Sequence, residues 1–159
     1  MTQSIHQVSL NGALLKRGFW LYIWEIAAPS GENLYYVGRT GDSSSANAQS
    51  PISRLSQHLG KNTHSNALCQ RLSKASVKPE SCGDIRMFAY GPIFSEGKNS
   101  TQHKQRRDVV AALEKALGDA MREAGYNVIN TVHCRKPSDE RLFQRVRSAY
   151  SVYFSKLRK

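Results

Sequence analysis

Two apolar runs, Phe19 to Ala27 and Leu34 to Thr40, are rich in aromatic and branched residues and are separated by Pro29-Ser30-Gly31-Glu32-Asn33. Such side chains suit a pleated surface and the intervening residues supply turn geometry, so the stretch predicts an antiparallel hairpin. Gly41 to Ser50 lacks apolar periodicity and reads as a surface loop. Ser50 can cap a helix whose first turn accepts Pro51 and whose exit is Gly60, which predicts a helix over Pro51 to Leu59. Leu55 and Leu59 are expected to pack inward, with Arg54 and His58, four apart, on a different face. Ser65 to Lys74 carries Leu68 and Leu72 at helical spacing, and Ile85 to Ala89 alternates as a third strand would. Asp108 is the expected cap of a longer helix, Val109 to Ala124, with an apolar stripe of Val109, Leu113, Leu117, Ala120 and Met121. At about 100° per residue, Glu114 falls roughly 20° outside that stripe, beside Met121. Ser138 with Asp139-Glu140 opens a C-terminal helix with Leu142, Val146, Tyr150, Tyr153 and Leu157 on one side. The fold class expected is α+β, a small three-stranded antiparallel sheet flanked by helices, with an additional C-terminal helix. No internal repeat is present.

Charge changes this picture more than composition does. At 159 residues the chain is the size of one domain, yet 23 Lys and Arg face 12 Asp and Glu, a net charge of +11. Solubility does not require that excess, which points to a polyanionic partner. A membrane is the weaker candidate, because no stretch is both apolar and long enough to span. Phe19 to Ala28 follows Lys16-Arg17 as a secretory signal would, but Glu25 interrupts it and no second apolar segment follows, so it reads as a buried strand. Cys69, Cys82 and Cys134 are odd in number and far apart, which argues against a disulfide framework or zinc finger and suits a cytoplasmic protein. His133-Cys134 lacks a second close pair of ligands.

Several residues carry candidate chemistry in order along the chain: Tyr22 on the first strand, Tyr36-Val37-Gly38-Arg39-Thr40 on the second, Arg54-x-x-x-His58 on the next helix, then Glu114 and Asn130. Taken singly, a strand tyrosine is a packing residue, an Arg and His at helical spacing are a solvated face, and a lone glutamate pairs with neighbouring lysines. The ordered set on matching elements resembles the GIY-YIG nuclease family over roughly residues 19 to 131. Tyr36-Val37-Gly38 resembles the second motif triplet and Trp20-Leu21-Tyr22 the first, with Trp20 in place of the family's glycine. Arg54 and His58 resemble the family's Arg-x-x-x-His variant, and His64 a further histidine of some phage homing endonucleases. Glu114 matches the metal-binding glutamate, and Asn130 the asparagine that closes the module. With the resemblance placing a GIY-YIG-like nuclease domain over 19–134, the residues outside it read as a polar leader over 1–18 and a basic C-terminal helix over 135–159 expected to pack on the domain.

The residues support these roles on chemical grounds. Phosphodiester cleavage must neutralise charge on the phosphoryl oxygens, activate water and stabilise the leaving oxygen. Arg54 can meet the first need with a forked contact to phosphate. Glu114 is a single carboxylate, so one hard cation, magnesium or manganese, completed by waters and phosphate, is expected rather than a two-metal clamp. A tyrosine with a reference pKa near 10 is ionised only about one part in a thousand at neutral pH, a penalty of roughly 4 kcal/mol. Arg39 and a metal could favour phenolate, and His58 could accept the proton through a tyrosine hydroxyl. Water activation is therefore assigned jointly to Tyr22, Tyr36 and His58, with Gly38, Arg39, His64 and Asn130 in support.

Lys98, Lys104, Arg106 and Arg107 form a run without an intervening acid, read as a loop that touches phosphates. On the last helix Arg141, Arg145, Lys156 and Lys159 are expected within about 60° of one another around the axis. Such contacts give salt-dependent affinity with little sequence information. The expected function is a metal-dependent endonuclease hydrolysing DNA. The alternatives are an inactive nucleic-acid-binding module on the same scaffold and an RNA-directed nuclease. The partner expected is nucleic acid, with a homodimer as a further expectation.

Overall fold

The structure is a computed structural model, and it describes residues 4–43, 47–60 and 66–158. The chain is α+β: β1 (Phe19–Ala27), β2 (Asn33–Arg39), α1 (Pro51–Leu59), α2 (Ala67–Lys74), β3 (Ile85–Phe94), α3 (Ser100–Glu123) and α4 (Glu140–Tyr150), with short 3-10 turns at Gly12–Leu15, Pro79–Ser81 and Ser155–Arg158. The strands form one antiparallel sheet in the order β2-β1-β3. No helix among the described residues is long and apolar enough to cross a membrane.

β1 is central and buried on both faces, which is why it reads as a near-continuous apolar run rather than an alternating one. Its Phe19, Leu21 and Ile23 enter a core with Val37, Val110, Leu113, Leu117 and Met121 of β2 and α3 and with Phe143, Val146 and Tyr150 of α4. Tyr22, Trp24 and Ile26 enter a second core with Leu34, Tyr36, Leu68 and Leu72, against which Leu55 of α1 packs. The sheet thus separates an α3/α4 layer from an α1/α2 layer. Period-two alternation then fixes which layer each β2 side chain meets, with Tyr36 on the α1/α2 side and Val37 on the other.

Gly38 is the register partner of Tyr22, whose ring lies directly over it. A Cβ on Gly38 would sit 2.4 Å from Tyr22 Cε2 and 2.7 Å from its hydroxyl oxygen. The glycine is therefore required by close approach. Gly38→Ala is expected to lower unfolding stability by about 1–3 kcal/mol, the usual cost of overpacking, read as a shift in denaturant midpoint at unchanged m-value.

The outer edge of β2 is closed by the segment after α3. Tyr35 N donates to Asn127 O at 2.9 Å, and Ile129 N donates to Tyr35 O at 2.8 Å. The buried Asn130 amide completes the seam, accepting from Val37 N at 3.0 Å and donating to Val37 O at 2.7 Å. Asn130 thus does the work of a missing strand, satisfying backbone groups that would otherwise be buried unpaired.

Several sequence expectations are corrected. α3 begins at Ser100 with Asn99 as its cap, eight residues before Asp108, because its first two turns are polar and show no apolar period. They are held instead by His103, which is buried against Phe19 with ring centroids 5.1 Å apart and whose Nε2 lies 3.1 Å from Ser43 O. Lys104, Arg106 and Arg107 consequently lie on a helix and not in a loop, and only Lys98 of that run precedes it. Val110 rather than Val109 faces the core, and Val109 is exposed. β3 runs five residues past Ala89, through Gly91-Pro92, which an edge strand tolerates because one side needs no ladder donors. α4 stops at Tyr150, and a turn then buries Phe154 and Leu157 while exposing Tyr153. The basic stripe expected along one continuous helix is therefore broken. Arg141 and Arg145 stay exposed on α4, whereas Lys156 lies beyond the turn with its ammonium over the Tyr126 ring at 5.1 Å. Lys159 lies outside the described residues, as do His64, Ser65 and part of the Gly41 to Ser50 loop.

Candidate active site at the end of the second strand

The expectation for α1 is overturned on one point, and the reversal builds the site. His58 is fully buried and Leu59 is exposed. The reason is a polar contact that outweighs apolar pattern: the Tyr22 hydroxyl and His58 Nε2 lie 2.7 Å apart beneath α1. Around this pair the sheet presents aromatic rings edge-on to the imidazole, Tyr36 at 5.3 Å, Tyr22 at 5.6 Å and Trp24 at 6.2 Å between centroids. Ser50 caps α1 by accepting from Ser53 N, and Pro51 occupies its first turn, so the helix is set in place from the end nearest Arg54.

Arg54 is held by two acceptors. Its Nη2 donates to Asp42 Oδ2 at 2.9 Å and its Nη1 to Gln57 Oε1 at 3.0 Å, while its Nε is buried without a partner among the described residues. From the other layer, Arg39 Nε donates to Glu114 Oε2 at 2.8 Å, and Arg39 Nη1 is likewise buried without a partner among those residues. Buried N–H groups left unpaired are rare and costly, and these two share the site with Trp24 Nε1 and His58 Nδ1, which also have no partner among the described residues.

The charges are mutually coupled. Burial pushes the Glu114 carboxyl up to about 7 against the pull of Arg39, and the negative charge of Asp42 raises it further. Burial pushes the Tyr36 phenol up to about 12, with Glu114 adding to the effect and Arg54 opposing it. Tyr22 is driven well above the ordinary tyrosine range, again chiefly by burial. Burial and the nearby Arg54 charge lower His58 to about 4. The imidazole is thus neutral at pH 7 and a weak base, while both phenols retain their protons.

One consequence concerns stability. A histidine whose folded pKa lies below its unfolded value of 6.5 opposes folding at low pH, since the unfolded chain binds the extra proton. Unfolding free energy is expected to rise as pH increases from about 4 to 6.5. In His58→Phe that segment of the pH profile should flatten, as measured by denaturant titration.

The structure brings Tyr22, Tyr36, Gly38, Arg39, Arg54, His58 and Glu114 to one end of β2. Asn130 is nearby but is spent on the backbone of Val37. The basic residues outside the site are dispersed. Arg106 donates to the carbonyls of Ser95 and Glu96, and Arg107 pairs with Asp108 at 3.3 Å. Sequence reading missed Asp42 and Gln57, which hold Arg54, and Trp24, which walls His58. Gln57 is three residues from Arg54 and so was findable by helical spacing. Asp42 follows Gly41, whose φ of 76° turns the chain at the strand exit, and no pattern announces it. Among the described residues no group of three or more His, Cys, Asp or Glu gathers as a metal site. No protein-family model, curated protein or solved structure matches the chain.

Proposed function

We propose that this chain is a metal-dependent endonuclease of the GIY-YIG type that hydrolyses phosphodiester bonds, with DNA as the first substrate to test. The observation that carries the reading is the Tyr22–His58 hydrogen bond of 2.7 Å set beside Tyr36 and Arg54, with Glu114 close enough to act on both phenols. A neutral imidazole hydrogen-bonded to a phenol, next to a guanidinium with an unpaired donor, can take a proton from water by way of that phenol once a bound phosphate offsets the Arg54 charge that helps lower His58 to about 4.

The donor set fits a hard divalent cation. Glu114 is a desolvated carboxylate whose charge is further disfavoured by Asp42, and a cation would relieve both effects. With one protein carboxylate, the remaining positions would fall to water and phosphate oxygens, as magnesium or manganese accepts. Such an ion supplies Lewis-acid stabilisation of charge on the phosphoryl and leaving oxygens.

The chain's own residues do the rest. Tyr22 oxygen takes a proton from the attacking water as its own proton passes to His58 Nε2, and Tyr36 orients that water. Arg54 Nε donates to a non-bridging phosphoryl oxygen while Asp42 and Gln57 keep the guanidinium plane fixed. The water oxygen bonds to phosphorus as the bond to the leaving ester oxygen breaks; that oxygen departs with the electron pair and is protonated from solvent, and His58 gives up its proton to solvent to restore the site. The net charge of +11 supplies salt-dependent attraction for the polyanion. Lys98, Lys104, Arg141, Arg145 and Lys156 are among the exposed contributors. The proposed setting is the cytoplasm, where Cys69, Cys82 and Cys134, all free thiols, would remain reduced.

The test is incubation with supercoiled plasmid in magnesium, in manganese and in chelator. Metal-dependent nicking or linearisation is expected, and prompt linearisation would point to two copies cutting opposite strands. Salt-sensitive binding without cleavage would favour a nucleic-acid-binding module, and cleavage of structured RNA alone would make the substrate RNA.

A further inference from the structure

The Arg39–Glu114 pair has a geometry that the nuclease reading leaves unused. Arg39 donates from Nε alone to Glu114 Oε2 at 2.8 Å, and the two side chains are 16% and 14% exposed. A guanidinium offers five N–H donors in a planar fork, yet Arg39 Nη1 is buried with no acceptor among the described residues. Arg39 is the last residue of β2, and the backbone on either side of it is fixed. Gly38 is in register with Tyr22, and Thr40 N donates to Trp20 O at 3.0 Å. Its side chain can therefore change partners by rotation alone. Arg54 is different, because Asp42 and Gln57 already hold two of its nitrogens.

A divalent cation on the Glu114 carboxylate would repel the Arg39 guanidinium that now lies 2.8 Å from Oε2, so Arg39 and a cation compete for that oxygen. We propose that Arg39 is an exchangeable counter-ion. It neutralises Glu114 while no cation is bound; once a cation takes the carboxylate, it turns its freed Nε–H and its unpaired Nη1–H to a phosphodiester oxygen. The site would then hold a phosphodiester firmly only after loading with metal, with two arginines on the phosphate instead of one. The inference rests on the assignment of Glu114 as the cation ligand.

Solution NMR of the full chain separates the two. Magnesium is titrated into labelled protein while the Glu114 carboxylate carbon and the Arg39 Nε–H are followed, with Arg39→Lys identifying the latter resonance. Both are expected to respond at the same midpoint, and exchange of the Nε–H with solvent should quicken about tenfold, the scale of a hydrogen bond to a charged group. Dimethyl phosphate added afterwards should restore protection in the magnesium-loaded protein and leave the metal-free protein unchanged. A Glu114 response with Arg39 still protected overturns the exchange and leaves the nuclease reading standing. No response at either group overturns the cation assignment, and the exchange with it. In Arg39→Met, the gain in dimethyl phosphate affinity on adding magnesium, expected to be about tenfold in the native chain on the same scale, should fall to near none. An undiminished gain would also overturn the proposal.

Discussion

Replacing Glu114 with Gln is expected to reduce plasmid cleavage by about a thousandfold or more, while nucleic-acid binding stays within a few-fold. The amide keeps the volume of the side chain and an oxygen that can still accept from Arg39 Nε, so the contact made at 2.8 Å has a replacement. What it loses is the charge that would hold the cation. The same group sets a pH dependence. Because burial pushes Glu114 up to about 7, its ionised fraction grows as pH rises through that value, and cleavage at limiting magnesium should increase with pH up to about 7 and then level. Stability runs the opposite way. A carboxyl whose folded pKa is raised contributes stability below its unfolded value, and that contribution is lost as pH rises through about 7. Magnesium should therefore raise the melting temperature more at pH 8 than at pH 6. Normal turnover by Glu114→Gln would remove the metal assignment altogether.

Arg54→Lys is the second large effect, with a loss of about a hundredfold in cleavage rate and a much smaller loss of binding. The native side chain is a fork with Nη2 on Asp42, Nη1 on Gln57 and Nε buried without a partner among the described residues, so its plane is held at fixed angles. A lysine ammonium can keep the positive charge and one acceptor but cannot span Asp42, Gln57 and a phosphoryl oxygen at fixed angles. Rates measured under saturating single-turnover conditions distinguish positioning from affinity. Unchanged single-turnover rates would show that the phosphate is stabilised elsewhere. Asp42, which sequence reading did not single out, becomes a positioning residue on this account, because the Arg54 plane depends on it.

The comparison of α1 and α3 shows where sequence reasoning reaches. α1 was legible to the residue, because Ser50, Pro51 and Gly60 are local punctuation whose physics acts within one turn. Its orientation was not. Apolar pattern favoured Leu55 and Leu59 as the inward residues, but the buried side is led by His58, whose partner Tyr22 is 36 residues away. The start of α3 was missed for a related reason. His103 anchors it by packing its ring, tilted, against Phe19 of β1, a contact that leaves no periodic trace in a polar segment.

The candidate site divides along the same line. Its residue types and order were present in the chain from Tyr22 to Glu114, and the border position of Glu114 beside the α3 stripe followed from helical geometry alone. Which ionic partners those residues take was decided only by folding. Arg39 meets Glu114 across 75 positions, and Arg54 meets Asp42 where the strand exit turns back toward α1. The protonation states were decided there too, since the displacement of Tyr22, Tyr36, His58 and Glu114 from their ordinary ranges comes first from burial. The sequence by itself determined the strands, most of the helices and the inventory of reactive groups, because these depend on local propensity, capping and periodicity. The tertiary structure alone decided their pairing and charge, because desolvation and hydrogen bonding between distant residues exist only once two layers close on the sheet.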